Sequence, residues 1–587
     1  MRGGRKRGRP ARWAAVMGTA QELREIEEAL RRAGAGEAVS PPDRSASAAA
    51  HPRPKARPEP VAIVGLSGFF PQCSSVAAFW RALDRDRPLI EEIPATRFDW
   101  RAIPDGHGRR GRPSGCRWGG FIPDIAGFDP EFFGLAPGEA AVMDPRERLL
   151  LMSAYQTLAD AGYTPRALKG SRTGVFVAVQ DSEYVDHLKA VGRYTGEAYA
   201  QGCVAANRIS YVLDFHGASE IVDAQCPGAA VALHRAVTAL RGGEVDHALV
   251  GAANLLIRPE PFALLGASGQ LSPTDSVAAF GSGAQGHLRA DGVASVLLKP
   301  LRAALADGDH VYAILRNTAV NYSGQGSASM AAPNGARQAE LIAHCYREAG
   351  IDPRDVGTIE AQGMGNVLAD LAKWQACNRA LLALADEQGV ALEAGQCRIS
   401  TLKPMAGHME SASALGALFK IVRSLHTATV HKVLGFTDYH PELAREGQPC
   451  AIAAETQAWP RSNGPRLAGL NAYSMSGVNA HVLIEEFIGT DEAGGRVRGE
   501  AYAGRRQRRG KRDETAEVLV PLSAKSPAAL WAMARQLAAF LAEESESDPA
   551  ETALRVLSRL RPVRLADLAF TLQAGREELA HLSLIHI

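Results

Sequence analysis

The stretch SEIVDAQCPGAAVALHRAVTALRGG, residues 219–243, changes its periodicity within a few residues. A short apolar run ends at Asp223. From about Gly228 onward small and apolar residues recur at helical spacing. This reads as a strand, a tight turn and a helix, with Cys226 at the turn. The same alternation spreads outward along the chain. Apolar runs at 61–66, 173–179, 247–257, 294–301, 312–320, 466–474 and 481–487 read as further strands. Amphipathic segments at 147–162, 336–350, 366–386 and 413–427 read as helices between them. Strands alternating with helices imply an α/β fold whose sheet is covered by helices on both faces.

Around this body the texture differs. Residues 21–34 form one short charged helical pattern, and the Pro/Ala/Ser-rich stretch that follows reads as a linker up to about residue 58. A basic linker over 488–516 leads into a last segment, 517–587, with helical patterns at 526–543 and 563–574. That segment is expected to be incomplete. Formal net charge is +1, so no global field points to nucleic acid or a membrane surface. The basic runs at 2–9 and 505–512 read as solvated linkers. No apolar run of membrane-spanning length occurs, and no apolar signal core follows the basic start. Eight cysteines lie scattered without metal spacing, which fits a reduced, cytoplasmic protein. No metal site is implied.

Three stretches carry candidate chemistry. At the strand–helix elbow, the helix N-terminus favours a thiolate on Cys226, so the residue reads as a nucleophile able to form a thioester. An ordinary buried cysteine is the other reading of the same spacing. Cys345 and Cys377 fall inside amphipathic helix patterns and read as packing residues, as does Cys203 before AANRISYVL. The loop STLKPMAGHMESASALGAL, 400–418, places Lys403 and His408 ahead of a small-residue helix. In LNAYSMSGVNAHVLIEEF, 470–487, the small residues Ser474, Ser476 and Gly477 flank Met475 before a strand, where backbone N–H groups can approach a ligand. His481 enters that strand and reads as structural.

Taken in order, VAIVGLSGFFP, GGFIPDIAGFDPEFFGLAPGEAAVMDPRERLLL, ANRISYVLDFHG, VDAQCPGAA, LRADGVASVLLKPL, IEAQGMGN, LKPMAGHMESA and NAYSMSGVNAHVLIEE resemble the ketosynthase domains of modular polyketide synthases, members of the thiolase-like condensing enzymes. The resemblance covers roughly 59–487. It implies two pseudo-symmetric halves, about 59–305 and 306–487, in five layers (α-β-α-β-α), and a homodimer formed through a strand matching SEIVDA. It also implies that Cys226 accepts an acyl chain from an acyl carrier protein, with Lys403 and His408 matching the family's lysine and second histidine. The phosphopantetheine arm of that carrier would deliver the substrate, and the domain itself would bind no cofactor. Other domains of a synthase would be its neighbours.

The departures from the family pattern cluster in the chemistry. Gln362 stands where the family has its first histidine, after the retained Glu360. Met364 and Asn366 replace small hydroxylated residues. Pro227 and Gly228 replace serines beside the nucleophile, Asp291 replaces a common glutamate, and Met475 stands where an aromatic is common. Glutamine can donate a hydrogen bond but cannot act as an acid or base. Three activities follow. The first is a non-elongating ketosynthase, resembling those of trans-acyltransferase systems, that takes the chain and passes it on. The second is a condensing enzyme that tolerates Gln362. The third is a silent docking domain, against which the retained Cys226, Lys403 and His408 argue. Lys403 is expected to orient His408 rather than act as a base, because an unshifted lysine stays protonated.

Overall fold

Along the strand Val61–Phe69 (β1), Val61, Ile63 and Leu66 face one core while Ala62, Val64 and Phe69 face another. Burial of both faces is what a strand between two helical layers requires. The structure, a computed structural model, describes residues 58–102, 116–180, 183–194, 204–327, 329–443, 446–462, 464–490, 496–498, 518–545 and 565–586. The expected helix over 21–34, Cys203 and most of the basic linker lie outside these residues.

The first half continues with Pro145–Asp160 (α1), Thr173–Ala178 (β2), Val204–Leu213 (α2), Ser219–Val222 (β3), Gly228–Arg241 (α3), His247–Asn254 (β4) and Gly292–Pro300 (β5). The second half repeats the plan with Ala313–Tyr322 (β6), Gly335–Ala349 (α4), Val356–Glu360 (β7), Val367–Gln388 (α5), Cys397–Ser400 (β8) and Ser413–Thr427 (α6). An edge strand Cys450–Ile452 (β9) follows, then Leu467–Tyr473 (β10) and Val478–Glu485 (β11). Strand order is β3-β2-β4-β5-β1 in one half and β8-β7-β10-β11-β6 in the other, so the two halves share one topology. In each, the first three of those strands run parallel and the last two pairings are antiparallel. A three-residue pairing of β1 with β6, Val61 to Leu315 through Ile63 to Ala313, joins both into one eleven-stranded sheet.

Three of the hydrophobic cores hold the five layers together. Leu149 and Leu158 of α1 and Ile209 of α2 pack on the outer face of the first half. Tyr346 of α4 and Leu381 of α5 pack on the outer face of the second. Between them, Leu233 and Val237 of α3 share one core with Leu418 and Phe419 of α6 and with inward residues from both halves. This is the thiolase-like arrangement. Close approach sets the composition at Gly65, where a Cβ would come within 2.5 Å of the Thr157 carbonyl of α1.

Beyond β11, Leu519–Ala524 (β12) pairs antiparallel with His581–His586 (β13), and Pro527–Ser545 (α7) and Leu565–Ala574 (α8) lie between them in sequence. Arg576 donates to the Ala159 carbonyl of α1 at 2.7 Å, and Lys525 donates to the Phe132 carbonyl.

Candidate active site

The junction between β3 and α3 is short and stiff. Asp223 Oδ1 accepts from the Gln225 N–H at 3.0 Å, and the Gly228 N–H donates to the Gln225 carbonyl at 2.9 Å. Gln225 adopts φ +60°, a left-handed conformation that costs a non-glycine residue about 1–2 kcal/mol. Pro227 is buried directly before the helix, and its carbonyl accepts from the Val231 N–H at 2.9 Å. Cys226 is thereby held, partly exposed, at the N-terminus of α3. A helix N-terminus lowers a thiol pKa, but burial acts against it here and pushes the Cys226 thiol up to about 11, with Lys403 partly offsetting the rise. The thiolate therefore depends on the charges and donors that the second half brings to it.

Those donors come from the loop between β8 and α6. His408 Nε2 lies 3.2 Å from Cys226 Sγ. The ring's other nitrogen, Nδ1, faces the Glu410 backbone N–H at 3.0 Å, Lys403 Nζ at 3.0 Å and Ser413 Oγ at 2.8 Å. A backbone N–H can only donate, so Nδ1 is an acceptor, and a neutral ring must carry its proton on Nε2. Burial, with Lys403 beside it, holds His408 well below the usual histidine range, so the ring is neutral. It presents an N–H to the sulfur. His287 packs edge-on against it, ring centroids 5.3 Å apart, and is likewise neutral, pushed down to about 3 by burial.

Lys403 departs from the sequence expectation. It is 5% exposed, and burial, reinforced by the ammonium of Lys373, brings it down to about 7. It is not an unshifted lysine, and it is partly neutral at physiological pH. Its hydrogen bond to Nδ1 still orients the ring. Glu410, two residues past the histidine, has φ +45° and pairs with Arg289 at 2.7 Å, while Arg289 lies over the Phe262 ring.

Gln362 follows β7 and is 5% exposed. Its side-chain carbonyl Oε1 accepts from the Tyr473 N–H at 2.6 Å, and its main-chain carbonyl accepts from Lys373 Nζ at 2.6 Å. Because the Tyr473 N–H can only donate, the orientation of the amide is fixed. Its NH2 has no hydrogen-bond partner among the described residues. Cys226, Gln362 and Lys403 line one cleft together with Glu360, Asn471 and Ala472. Gly363 admits no side chain, since a Cβ would meet the Phe280 ring at 2.5 Å. Asn366 caps α5, its side chain accepting from the Ala369 N–H at 3.1 Å.

The remaining sequence candidates fall around this centre. Glu360 accepts from the Leu402 N–H and pairs with Lys420 at 2.9 Å, tying β7 to α6. Asp291 is fully buried, pairs with Arg97 at 2.8 Å and accepts from the Ile122 and Leu256 N–H groups, so it braces loops of the first half. Ser474, Met475, Ser476 and Gly477 form the hairpin tip between β10 and β11. The two serine hydroxyls lie 2.9 Å apart, the Ser474 hydroxyl accepts from the Val478 N–H, and Met475 is exposed. Met364 donates its N–H to Asp370 at 2.8 Å. His481 is fully buried against Asn471. Sequence reasoning missed Lys373, Tyr473, His287 and Ser413. Lys373 had a signal: with Asp370 it puts charge on the helix stripe that carries Trp374, Cys377 and Leu381. Among the described residues no cluster of three or more His, Cys, Asp or Glu could hold a metal ion, and no helix is long and apolar enough to cross a membrane.

Residues 58–304 match the family model of the β-ketoacyl synthase N-terminal domain, and residues 312–437 match that of its C-terminal domain. The chain belongs to the β-ketoacyl synthase family. Residues 521–583 match a RhiE-like, KS-MAT linker domain. The chain is 36% identical over 538 residues to polyketide synthase PksN of Bacillus subtilis, covering 89% of this chain and 9% of that protein. It is 36% identical over 531 residues to polyketide synthase PksR of the same organism, covering 88% and 19%. The ketosynthase from module 6 of the bacillaene synthase of Bacillus subtilis superposes with a TM-score of 0.75 at 28% identity, over 90% of this chain and 82% of that one. The oxazolomycin ketosynthase domain OzmH KS7 of Streptomyces albus superposes with a TM-score of 0.77 at 30% identity, over 90% and 86%. The chain thus spans a small part of the curated synthases it matches and nearly all of a ketosynthase domain.

Proposed function

We propose that this β-ketoacyl synthase-family chain acts as a non-elongating acyltransferase in a trans-acyltransferase polyketide assembly line. Cys226 attacks the thioester of an acyl chain on a carrier protein's phosphopantetheine arm. The new carbon–sulfur bond replaces the old one, and the arm leaves as a thiol. The reverse exchange with a second carrier passes the chain on. The carrying observation is the asymmetry of the donors. His408 offers an N–H to the sulfur at 3.2 Å, whereas the family's other histidine position holds Gln362, whose Oε1 is taken by Tyr473. Acyl exchange needs the thiolate and one oriented donor. Decarboxylative condensation needs two strong donors at the enolate oxygen, and loss of one costs roughly 3 kcal/mol, about 100-fold in rate.

One observation favours the second reading, a condensing enzyme that tolerates glutamine. The unpartnered NH2 of the clamped Gln362 is a possible second donor. CO2 release from malonyl-carrier protein, with Cys226 already acylated, separates the two. In the non-elongating reading the parent protein acylates yet releases no CO2 above the enzyme-free rate. Rapid release with chain extension overturns it. Gln362→His raises release only where Pro227 and Met364 still admit malonyl. The partners in this reading are acyl carrier proteins, neighbouring synthase domains and a second copy of the chain, and its setting is the cytoplasm. The copy would pair through β3, the edge strand of the first half. An edge strand is a template for such pairing.

A further inference from the structure

Beside the site lies a second buried lysine that the transfer chemistry above does not use. Lys373 sits in the second turn of α5 and is 3% exposed. Its Nζ donates to the Gln362 main-chain carbonyl at 2.6 Å and lies 3.8 Å from Asp370 Oδ1. Asp370 is already engaged: its carboxylate accepts from the N–H groups of Met364, Gly365 and Phe280. Together the two side chains grip the 362–365 loop, the carboxylate by its N–H groups and the ammonium by its carbonyl.

Burying an ammonium is costly, and a lysine that only had to reach a carbonyl could be replaced by a neutral donor. The charges around Cys226 explain what the cation adds. Glu360 pairs with Lys420, and Glu410 with Arg289. His408 and His287 are neutral. The Lys403 side chain has only His408 and Ser413 as hydrogen-bond partners among the described residues. Lys403 and Lys373 are the cations that bear on the sulfur, and Glu410, though paired with Arg289, opposes them. Both lysines act on Cys226 in the direction that favours its thiolate, against burial and the Glu410 carboxylate, which oppose it.

We propose that Lys373 is a positioning residue of the transfer site: its ammonium fixes the main chain of Gln362 and supplies, beside the partly charged Lys403, a buried positive charge for the anion that forms at Cys226. The inference rests on Cys226 being the reactive thiol, and its test reads that thiol without any acyl transfer. Alkylation of Cys226 by iodoacetamide is followed by peptide mass spectrometry across pH in the parent and in Lys373→Arg, Lys373→Gln and Lys373→Met. Lys373→Gln removes the charge and keeps an amide donor on a slightly shorter side chain. The expected result is an alkylation rate at pH 8 about tenfold lower in the Gln and Met variants, equal to a one-unit upward move of the thiol titration, with the slope of the profile unchanged and Lys373→Arg close to the parent. Neutral variants whose pH profiles superimpose on the parent's would overturn the proposal. Should Lys373→Met misfold by stranding Asp370, the double variant Lys373→Met/Asp370→Asn removes both charges and is read in the same way. Failure of every neutral variant to fold assigns Lys373 to the fold and also overturns it. If the parent alkylates with this profile yet never accepts an acyl group, the transfer reading fails while the role of Lys373 in setting the thiol stands.

Discussion

The junction from the third strand of each half to the helix behind it occurs twice in this molecule, and the two versions differ in length and burden. In the first half, β3 passes to α3 through Asp223–Pro227. That turn is held by its own residues, the Asp223 carboxylate and the Gln225 carbonyl, and carries one reactive atom, the sulfur of Cys226. In the second half, β8 passes to α6 through residues 401–412, a longer path that carries Lys403, His408 and Glu410. Here most of the polar groups are buried, and partners outside the loop hold them: Leu288 for the His408 backbone, Arg289 for Glu410, and Glu360 for Leu402. One topology thus supports two designs. A short turn places an atom by local geometry, and a long loop places donors by contacts reaching across the fold.

The comparison can be broken most completely at the short turn. Cys226→Ala should abolish the acyl adduct outright, as read by intact mass after incubation with an acyl thioester. An adduct surviving the substitution would move the nucleophile elsewhere. At the long loop the effect should be graded. His408→Ala should slow acylation about 100-fold, the scale of one lost oriented donor, while leaving Cys226 in place. An unchanged rate would show that the N–H facing the sulfur is idle.

Smaller effects separate the designs by stability. Lys403 has its pKa lowered by burial, from the ordinary lysine range to about 7. Between pH 7 and about 10 the unfolded chain therefore binds a proton that the folded chain does not, so this group makes stability rise with pH across that window. Lys403→Met should remove that rise and raise the melting temperature at pH 6, where the charge is buried, by the equivalent of about 1 kcal/mol. A loss of stability at pH 6 would contradict it. Smallest is the effect at the turn itself. Gln225→Gly relieves the left-handed backbone and should stabilise by up to about 1 kcal/mol, whereas Gln225→Val should destabilise by a similar amount.

The same contrast decides what could be read from the amino acids. The elbow was legible because its signals are local: an apolar strand, a cysteine and a small-residue helix in one run. The helix at Ser413–Thr427 was likewise read with its observed bounds. The strands β7, β8 and β9 were not read. Each is short, and β7 and β8 carry buried polar residues such as Thr358, Glu360 and Ser400 whose partners lie far along the chain. Spacing shows Gln362 beside two glycines, but not that Tyr473, more than a hundred residues later, sets the direction of its amide. Nor does it show that Lys403 is buried next to Lys373. Electrostatic surroundings are a property of the folded contacts, so a lysine expected to be ordinary proves to be strongly shifted.

The layer shared by α3 and α6 has a consequence for inheritance. Leu233 and Val237 from one half, and Leu418 and Phe419 from the other, are buried in a single core, each such side chain contributing roughly 1.5–3 kcal/mol. A genetic crossover between related chains in the connection near residues 301–312 would join two back-to-back surfaces that had not diverged together. Its product would carry a mismatched core and a nucleophile facing another lineage's donors. Recombination that shuffles such chains should therefore leave breakpoints outside the two halves, and the pair of halves, rather than either one, should travel as the heritable unit.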